Sequence, residues 1–128
     1  LCPNEKETRT ALKDNVSGLE KLSQKLIKLT NTEKLIMKLG ADGFISYESK
    51  NNKIRNYSLP ALSVNPVDVA GAGDSLLAVM SIGLSSKQTM FCSSVIASCM
   101  ASLAVDTMGN LPITKKQLIS KIINVFES

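Results

Sequence analysis

Residues 66–78 read "PVDVAGAGDSLLA", with two glycines and two carboxylates directly before a run of apolar residues. Glycines ahead of a helix leave several backbone N–H groups pointing in one direction, and the helix N-terminus adds roughly half a positive charge. A phosphate group suits such a site. The stretch therefore predicts an anion site at residues 71–73, with the carboxylate of Asp74 beside it.

A carboxylate in this position has a chemical use. Asp74 could take a proton from an attacking hydroxyl while the N–H groups stabilise the charge on a phosphoryl group in transfer. The same residues also suit an ordinary turn and helix start, which is locally the commoner interpretation. Two other phosphate loops are excluded, because Leu76 stands where G-x-G-x-x-G requires glycine and the P-loop G-x-x-x-x-G-K-[ST] is absent.

The sequence on either side predicts helices and strands in an α/β order. Helical patterns occupy residues 4–15, 17–31, 74–84, 87–106 and 113–127, and strand patterns occupy 34–40, 43–49 and 53–60. The polar turn "KNN" (50–52) joins the last two strands and predicts a hairpin. Ser17 and Glu20 have capping-box spacing, and Thr114 is a candidate cap for the last helix. The two apolar helices after residue 74 are expected to pack on both sides. We expect a layered α/β domain with helices packed on a β-sheet.

Composition narrows the function classes. The chain has 128 residues, which suits one domain, and its net charge of +4 comes without the dense basic block that nucleic-acid binding favours. The apolar residues 90–105 fall short of the roughly 20 that a membrane span needs. There is no His and no C-x-x-C pair, so we expect neither a zinc site nor a disulfide framework. A reduced, cytoplasmic setting fits best.

Residues 68–74, "DVAGAGD", resemble the D-T-x-G-A-G-D signature of the ribokinase-like (PfkB) carbohydrate kinase family. Three further segments resemble family features in the same order. They are "PNEKE" (3–7, for N-x-x-E), "KLGADG" (38–43, for the T-L-G-x-x-G nucleotide loop) and "ASLAVDTMGNLP" (101–112, for the closing segment). The resemblance runs from Leu1 to about Phe126 and leaves little room for a purely structural interpretation of the glycine turn.

The resemblance implies a ribokinase-like fold and an enzyme that transfers the γ-phosphoryl group of Mg-ATP to a hydroxyl of a sugar or sugar phosphate. Asp74 matches the catalytic base of the family. The anion hole is matched by Gly71, Ala72 and Gly73. Asn4 and Glu7 match the pair that organises the Mg²⁺–phosphate network, with Glu7 acting through water.

The resemblance also implies two binding sites. The nucleotide site is matched by Lys38, Gly40, Gly43 and Ser98. A monovalent-cation site, suited to K⁺, is matched by Asp68, Ala70, Ala104, Thr107 and Gly109. Several of these residues have a structural alternative. Asn4 and Glu7 could cap a helix, Lys38 could be a surface residue, Gly40 and Gly43 could form a hairpin turn, Asp68 could be a turn residue, and Ser98 could serve helix packing.

The chain departs from the family pattern in two ways. Val69 and Lys38 stand where the motifs usually have Thr, and the "DVxGAGD" and "GNLPIT" forms look more like the heptose-phosphate kinase branch than ribokinase. Family members are longer, and their N-terminal half carries most of the sugar pocket and the lid. We therefore expect residues 1–128 to be the C-terminal nucleotide-binding and catalytic part, with that half absent.

Alternative functions stay open. A non-catalytic nucleotide-binding or interaction module derived from such a kinase would fit the lost Thr residues. A kinase for a nucleoside or vitamin-like alcohol would also fit, because the acceptor contacts are expected elsewhere. The expected partners are ATP and a small acceptor, without nucleic acid or membrane, and apolar surface left by the absent half would favour a homo-oligomer.

Overall fold

The structure, a computed structural model, describes residues 1–63, 67, 69, 71–109 and 111–128. They form an α/β arrangement that divides into two compact units, Leu1–Pro60 and Ala61–Ser128. In chain order the elements are α1 (Glu5–Leu12), α2 (Leu19–Thr30), β1 (Lys34–Lys38), a 3₁₀ turn (Gly40–Asp42), β2 (Phe44–Lys50), β3 (Lys53–Leu59), α3 (Ala72–Ser85), α4 (Met90–Val105) and α5 (Lys115–Glu127). The helices and strands predicted from the sequence are all present.

The first unit is built on an antiparallel sheet with the strand order β1–β2–β3. The expected hairpin joins β2 to β3 through Asn51 and Asn52, whose φ angles are 51° and 60°. A two-residue hairpin turn of this kind needs positive φ at both positions, which Asn tolerates better than most residues.

The residues before α1 add a further strand-like segment to this sheet. Ile36 N–H donates to the Leu1 carbonyl (2.8 Å), Lys38 N–H donates to the Pro3 carbonyl (2.9 Å), and Asn4 forms a parallel bridge with Lys38. The segment and β1 run in the same direction, so their carboxyl ends lie side by side. That arrangement brings Asn4 next to Lys38.

Helix α2 covers one face of the sheet. Its Leu26 and Ile27 pack with Leu35, Met37 and Tyr47, and all five side chains are at most 7% exposed. Leu35 and Met37 alternate along β1, and Leu35 is paired with Tyr47 on β2, so period-two patterning directs all three to the same face. Burial of this apolar cluster is the main stabilising term available to the unit.

The connection between α1 and α2 corrects one expectation. Ser17 does not cap α2: the N-cap is Gly18, without a side-chain cap. The Ser17 N–H instead donates to Asp14 Oδ1 (2.9 Å), which also accepts from Val16 N–H (3.1 Å). Lys25 of α2 donates to the other oxygen of Asp14. Asp14 therefore organises a turn that the capping-box spacing did not predict.

The second unit is helical. Helices α3 and α4 pack against each other and approach closely at Gly83, where an added Cβ would lie 2.5 Å from Ser93 Oγ. α3 buries Leu76 and Met80 but leaves Leu77 47% and Ile82 66% exposed, so the expected packing on both sides is wrong for this helix.

The last helix, α5, packs on α4. It begins with the predicted cap, a capping box formed by Thr114 and Gln117. Within the described part of the chain, no helix has the length and hydropathy of a membrane span.

Candidate active site

Asn4 and Glu7 form the capping box at the start of α1. Asn4 Oδ1 accepts the Glu7 N–H and Glu7 Oε2 accepts the Asn4 N–H, each at 2.7 Å. These bonds fix both side chains at the positive end of the helix dipole. Asn4 and Glu7 therefore do cap the helix, which was the structural alternative to a role in binding. The capping bonds also fix the positions of both side chains.

Lys38 lies beside this pair, at the carboxyl end of β1. Its backbone bridges to Asn4, and its ammonium group is close enough to Cys2 to affect the thiol. Burial raises the pKa of the Cys2 thiol; Lys38 works against this increase and Glu7 adds to it. Asn4, bonded to Glu7, is thus paired with Lys38 through the backbone where two parallel segments end, the edge at which open α/β sheets commonly bind ligands.

The loop after Lys38 is a tight turn. Leu39 N–H donates to the Gly43 carbonyl (2.8 Å), and Gly43 N–H donates to the Gly40 carbonyl (3.2 Å). Gly43 has φ 88° and ψ −130°, a conformation that side chains with a Cβ rarely adopt. This turn connects β1 to β2, so the hairpin alternative for Gly40 and Gly43 is also realised. Its nucleotide-binding role stays a prediction.

The glycine turn leads directly into α3. Gly71 has φ 78° and ψ −9°, and it is the N-cap of the helix. The Ser75 N–H donates to the Gly71 carbonyl (2.9 Å), which opens the helical ladder. The N–H groups of Ala72, Gly73 and Asp74 precede that bond and so have no acceptor within the ladder. This is the local geometry that an anion site at a helix N-terminus requires.

Asp74 lies in the first turn of α3, and its side chain is exposed. A carboxylate at this position is favoured by the helix dipole. Exposure leaves its oxygens accessible to a reacting group. Asp74 thus lies in the same helical turn as the N–H groups that follow Gly71, and its role as a base stays a prediction.

The remaining predicted residues lie on and after α4. Ser98 is buried, 5% exposed, in the middle of the helix. Ala104 is in the last turn of α4, where the carbonyls carry the negative end of the dipole. Thr107 follows the helix and donates from its hydroxyl to the Leu103 carbonyl (3.4 Å). The roles of these residues stay predictions, as does that of Gly109. Asp68 and Ala70 lie outside the described residues.

Mg²⁺ is the metal that the family resemblance implies. It prefers oxygen ligands, keeps several waters, and is usually bound through one or two carboxylates together with substrate phosphates. Glu7 Oε1 is the carboxylate oxygen that the capping box does not use. Within residues that the structure describes, no cluster of three His, Cys, Asp or Glu side chains could hold a metal. A single carboxylate oxygen suits a contact through metal-bound water, and this role of Glu7 stays a prediction.

One polar link was not predicted from the sequence. The Ser63 hydroxyl donates to Asp106 Oδ1, and Lys121 Nζ lies 3.9 Å from Asp106 Oδ2. Ser63 and Asp106 are 43 residues apart. No spacing or motif signals such a pair, because only the packing of the helices brings the two side chains together.

Comparison with known proteins gives a consistent result. The model of the pfkB family of carbohydrate kinases matches residues 1–116. The bifunctional protein HldE of Desulfatibacillum aliphaticivorans is 26% identical over 126 residues, covering 95% of this chain and 25% of that protein. HldE of Campylobacter fetus is 33% identical over 113 residues, covering 86% and 24%. The chain thus spans about a quarter of the length of these curated relatives.

Solved structures agree on the fold. Escherichia coli phosphofructokinase-2, crystallised with potassium, superposes with a TM-score of 0.81 at 17% identity, covering 97% of this chain and 40% of that one. Ribokinase from Thermotoga maritima superposes with a TM-score of 0.80 at 24% identity, covering 97% and 43%. At this identity the similarity shows a ribokinase-like fold and no more.

Proposed function

Because the chain belongs to the pfkB family of carbohydrate kinases, we propose that it supplies the nucleotide-binding and catalytic part of an ATP-dependent kinase. The enzyme would transfer a phosphoryl group to a hydroxyl of a sugar or sugar phosphate. The chain spans about a quarter of its curated relatives, so the acceptor pocket and the sugar-binding half are assigned to sequence outside residues 1–128.

The observation that carries this proposal is the geometry at the start of α3. Gly71 takes a left-handed conformation, three N–H groups follow it, and the exposed carboxylate of Asp74 stands in the same turn. Phosphoryl transfer needs little covalent chemistry from the protein, and catalysis is mostly positioning and electrostatic stabilisation. A row of fixed N–H groups beside a base supplies both.

Each residue then has a stated task. Asp74 accepts the proton of the attacking hydroxyl, and the N–H groups that follow Gly71, from Ala72 to Asp74, stabilise the charge that develops on the transferring phosphoryl. Lys38 attracts the phosphates of ATP, and Glu7 holds metal-bound water. Gly40 and Gly43 shape the loop between β1 and β2, which follows Lys38. Mg²⁺, when bound, neutralises part of the phosphate charge. K⁺ is assigned to a site made of one carboxylate and backbone carbonyls. Its residues are Asp68, Ala70, Ala104, Thr107 and Gly109.

A phosphorylated heptose is the first acceptor to test. The "DVxGAGD" and "GNLPIT" forms resemble the heptose-phosphate kinase branch, and the HldE proteins are among the relatives of the chain. A nucleoside or a vitamin-like alcohol would be the next acceptors to test.

The test of the proposal is the Asp74→Asn variant of the full-length protein. Amide replaces carboxylate at nearly the same size, so Mg-ATP binding should persist while turnover falls by roughly 10²- to 10⁴-fold, the usual worth of a positioned general base. Turnover is measured as ADP release with the acceptor present, and Mg-ATP affinity by calorimetric titration.

Glu20→Gln is the matched control, because Glu20 is a first-turn carboxylate on α2 and has no proposed role in chemistry. It should leave turnover unchanged. Near-normal turnover in Asp74→Asn would refute the assignment of the base. If the unaltered protein binds Mg-ATP but transfers no phosphoryl group to any acceptor, the non-catalytic nucleotide-binding module becomes the better description.

A further inference from the structure

Three segments of the second unit meet at Asp106, the C-cap of α4. Its N–H donates to the Ser102 carbonyl (3.1 Å), which closes the helix. Its Oδ1 accepts the hydroxyl of Ser63, a charge-assisted hydrogen bond of the stronger kind. Its Oδ2 lies 3.9 Å from Lys121 Nζ on α5. One carboxylate thus joins the segment before the glycine turn, the end of α4, and α5.

A second bond lies one residue away on α4. The Val67 N–H donates to the carbonyl of Val105 at 2.7 Å. Val105 is only 9% exposed, so this backbone bond is partly shielded from water. Ser63 and Val67 are therefore both attached to the same end of α4, and Val67 lies four residues before Gly71.

From these contacts we propose that Asp106 is a positioning residue for the glycine turn. The carboxylate fixes Ser63 and the Val105 carbonyl fixes Val67, so two residues shortly before Gly71 are held against the end of α4. Anion binding by backbone N–H groups depends on their orientation, and a displacement of about 1 Å is enough to be costly. The inference rests on the proposed function only for its effect on nucleotide affinity; the attachment itself is tested separately.

The attachment is tested by hydrogen exchange at the Val67 amide in the full-length protein, read by mass spectrometry with residue-level fragmentation. In Asp106→Ala the exchange should accelerate at least about fivefold, because local opening becomes easier once the anchor is lost. Ser63→Ala should act in the same way, and combining the two changes should add little. Asp106→Asn keeps an acceptor for the Ser63 hydroxyl and should restore slow exchange.

Lys121→Gln is the matched control. It removes the ion pair to the same carboxylate but leaves the Ser63–Asp106 hydrogen bond, and an ion pair as long as 3.9 Å with partly exposed partners contributes little. Exchange at Val67 should stay at the unaltered rate. If Asp106→Ala also exchanges at that rate, Asp106 does not hold the segment and the proposal fails.

The functional arm measures Mg-ATP affinity in the same variants. The dissociation constant should rise by roughly threefold to tenfold in Asp106→Ala, the range expected for the loss of one ordinary intramolecular hydrogen bond, with recovery in Asp106→Asn. Faster exchange without any loss of affinity would refute the positioning role. If the unaltered protein binds no Mg-ATP, the proposed function fails, and the attachment is judged by exchange alone.

Discussion

At the scale of single residues, two glycines hold helix N-caps with opposite backbone requirements. Gly71 has φ 78°, whereas Gly18 has φ −65° and open space where a Cβ would be. A side chain in the left-handed region costs about 1–2 kcal/mol, which corresponds to roughly five- to thirtyfold in an equilibrium constant. Of these two N-cap residues, only Gly71 therefore has a backbone conformation that requires glycine.

We expect Gly71→Ala to weaken Mg-ATP binding by about tenfold, because relief of the strain moves the N–H groups of the turn. Calorimetric titration of the full-length protein measures the effect. Gly18→Ala is the control and should bind Mg-ATP with unaltered affinity. Equal affinities in the two variants would argue against an anion site at the glycine turn.

Asp14 provides a test of electrostatics at the same scale. The hydrogen bond from Lys25, supported by the Ser17 and Val16 N–H groups, holds the pKa of this carboxyl well below its usual range. A pKa lower in the folded than in the unfolded state means that the carboxylate stabilises the fold above the usual carboxyl pKa. That contribution is lost as the pH falls through the folded value.

We therefore expect Asp14→Asn to lower the urea midpoint at neutral pH and to approach the unaltered protein as the pH is reduced below 4, a value close to the usual carboxyl pKa. Unfolding at several pH values, followed by circular dichroism, measures the difference. A deficit that is the same at every pH would mean that the ionised form of Asp14 is not what stabilises the turn.

At the scale of elements, the contact between α3 and α4 depends on Gly83. Replacing a glycine in a helix by alanine normally gains up to about 1 kcal/mol. Here the new Cβ would lie 2.5 Å from Ser93 Oγ and 3.0 Å from Ser93 Cβ, on a buried residue. Overpacking of this kind typically costs about 1–3 kcal/mol, so steric repulsion should exceed the gain in helix propensity.

We expect Gly83→Ala to lower the thermal midpoint by several degrees, in line with a net loss of about 1 kcal/mol. The double variant Gly83→Ala, Ser93→Gly moves the small residue to the other helix and should recover part of the loss. Differential scanning calorimetry measures both. A more stable Gly83→Ala variant would show that the helices separate at little cost.

At the scale of the whole molecule, the residues predicted to bind the nucleotide lie within residues 1–128. The residues that contact the acceptor are assigned to sequence beyond them. Lys34 and Lys38 occupy opposite ends of β1 and both are half-buried, but only Lys38 lies beside Asn4. Variants that lack one or the other ammonium group have the same net charge. A difference between them therefore reports the position of the lost charge.

We expect Lys38→Ala to raise KM for ATP by about tenfold, since a charge-assisted contact to phosphate is lost, while KM for the acceptor stays unchanged. Lys34→Ala should alter neither constant. Steady-state kinetics with each substrate varied in turn separates the two effects. A rise in KM for the acceptor alone would place Lys38 outside the nucleotide site.

Much of the molecule follows from short-range pattern. The helices, the strands, the Asn51–Asn52 turn and the Thr114 cap were all predicted, because periodicity, turn residues and caps act between residues close in sequence. The order of the four motifs also indicated the family that the comparisons then showed. The placement of Asp74 beside the N–H groups of the glycine turn is equally local, since both belong to one helical turn.

Tertiary structure decided what depends on distant residues. The pairing of Asn4 with Lys38 arises from a parallel segment added to β1, and the Ser63–Asp106 link joins residues 43 apart. The one-sided burial of α3 likewise reflects which elements pack against it, which apolar composition does not specify. At the start of α2, the Ser17 N–H donates to Asp14 instead of joining a capping box with Glu20. The spacing of Ser17 and Glu20 does not reveal this competing acceptor, whose carboxylate is held by a charge-assisted hydrogen bond from Lys25.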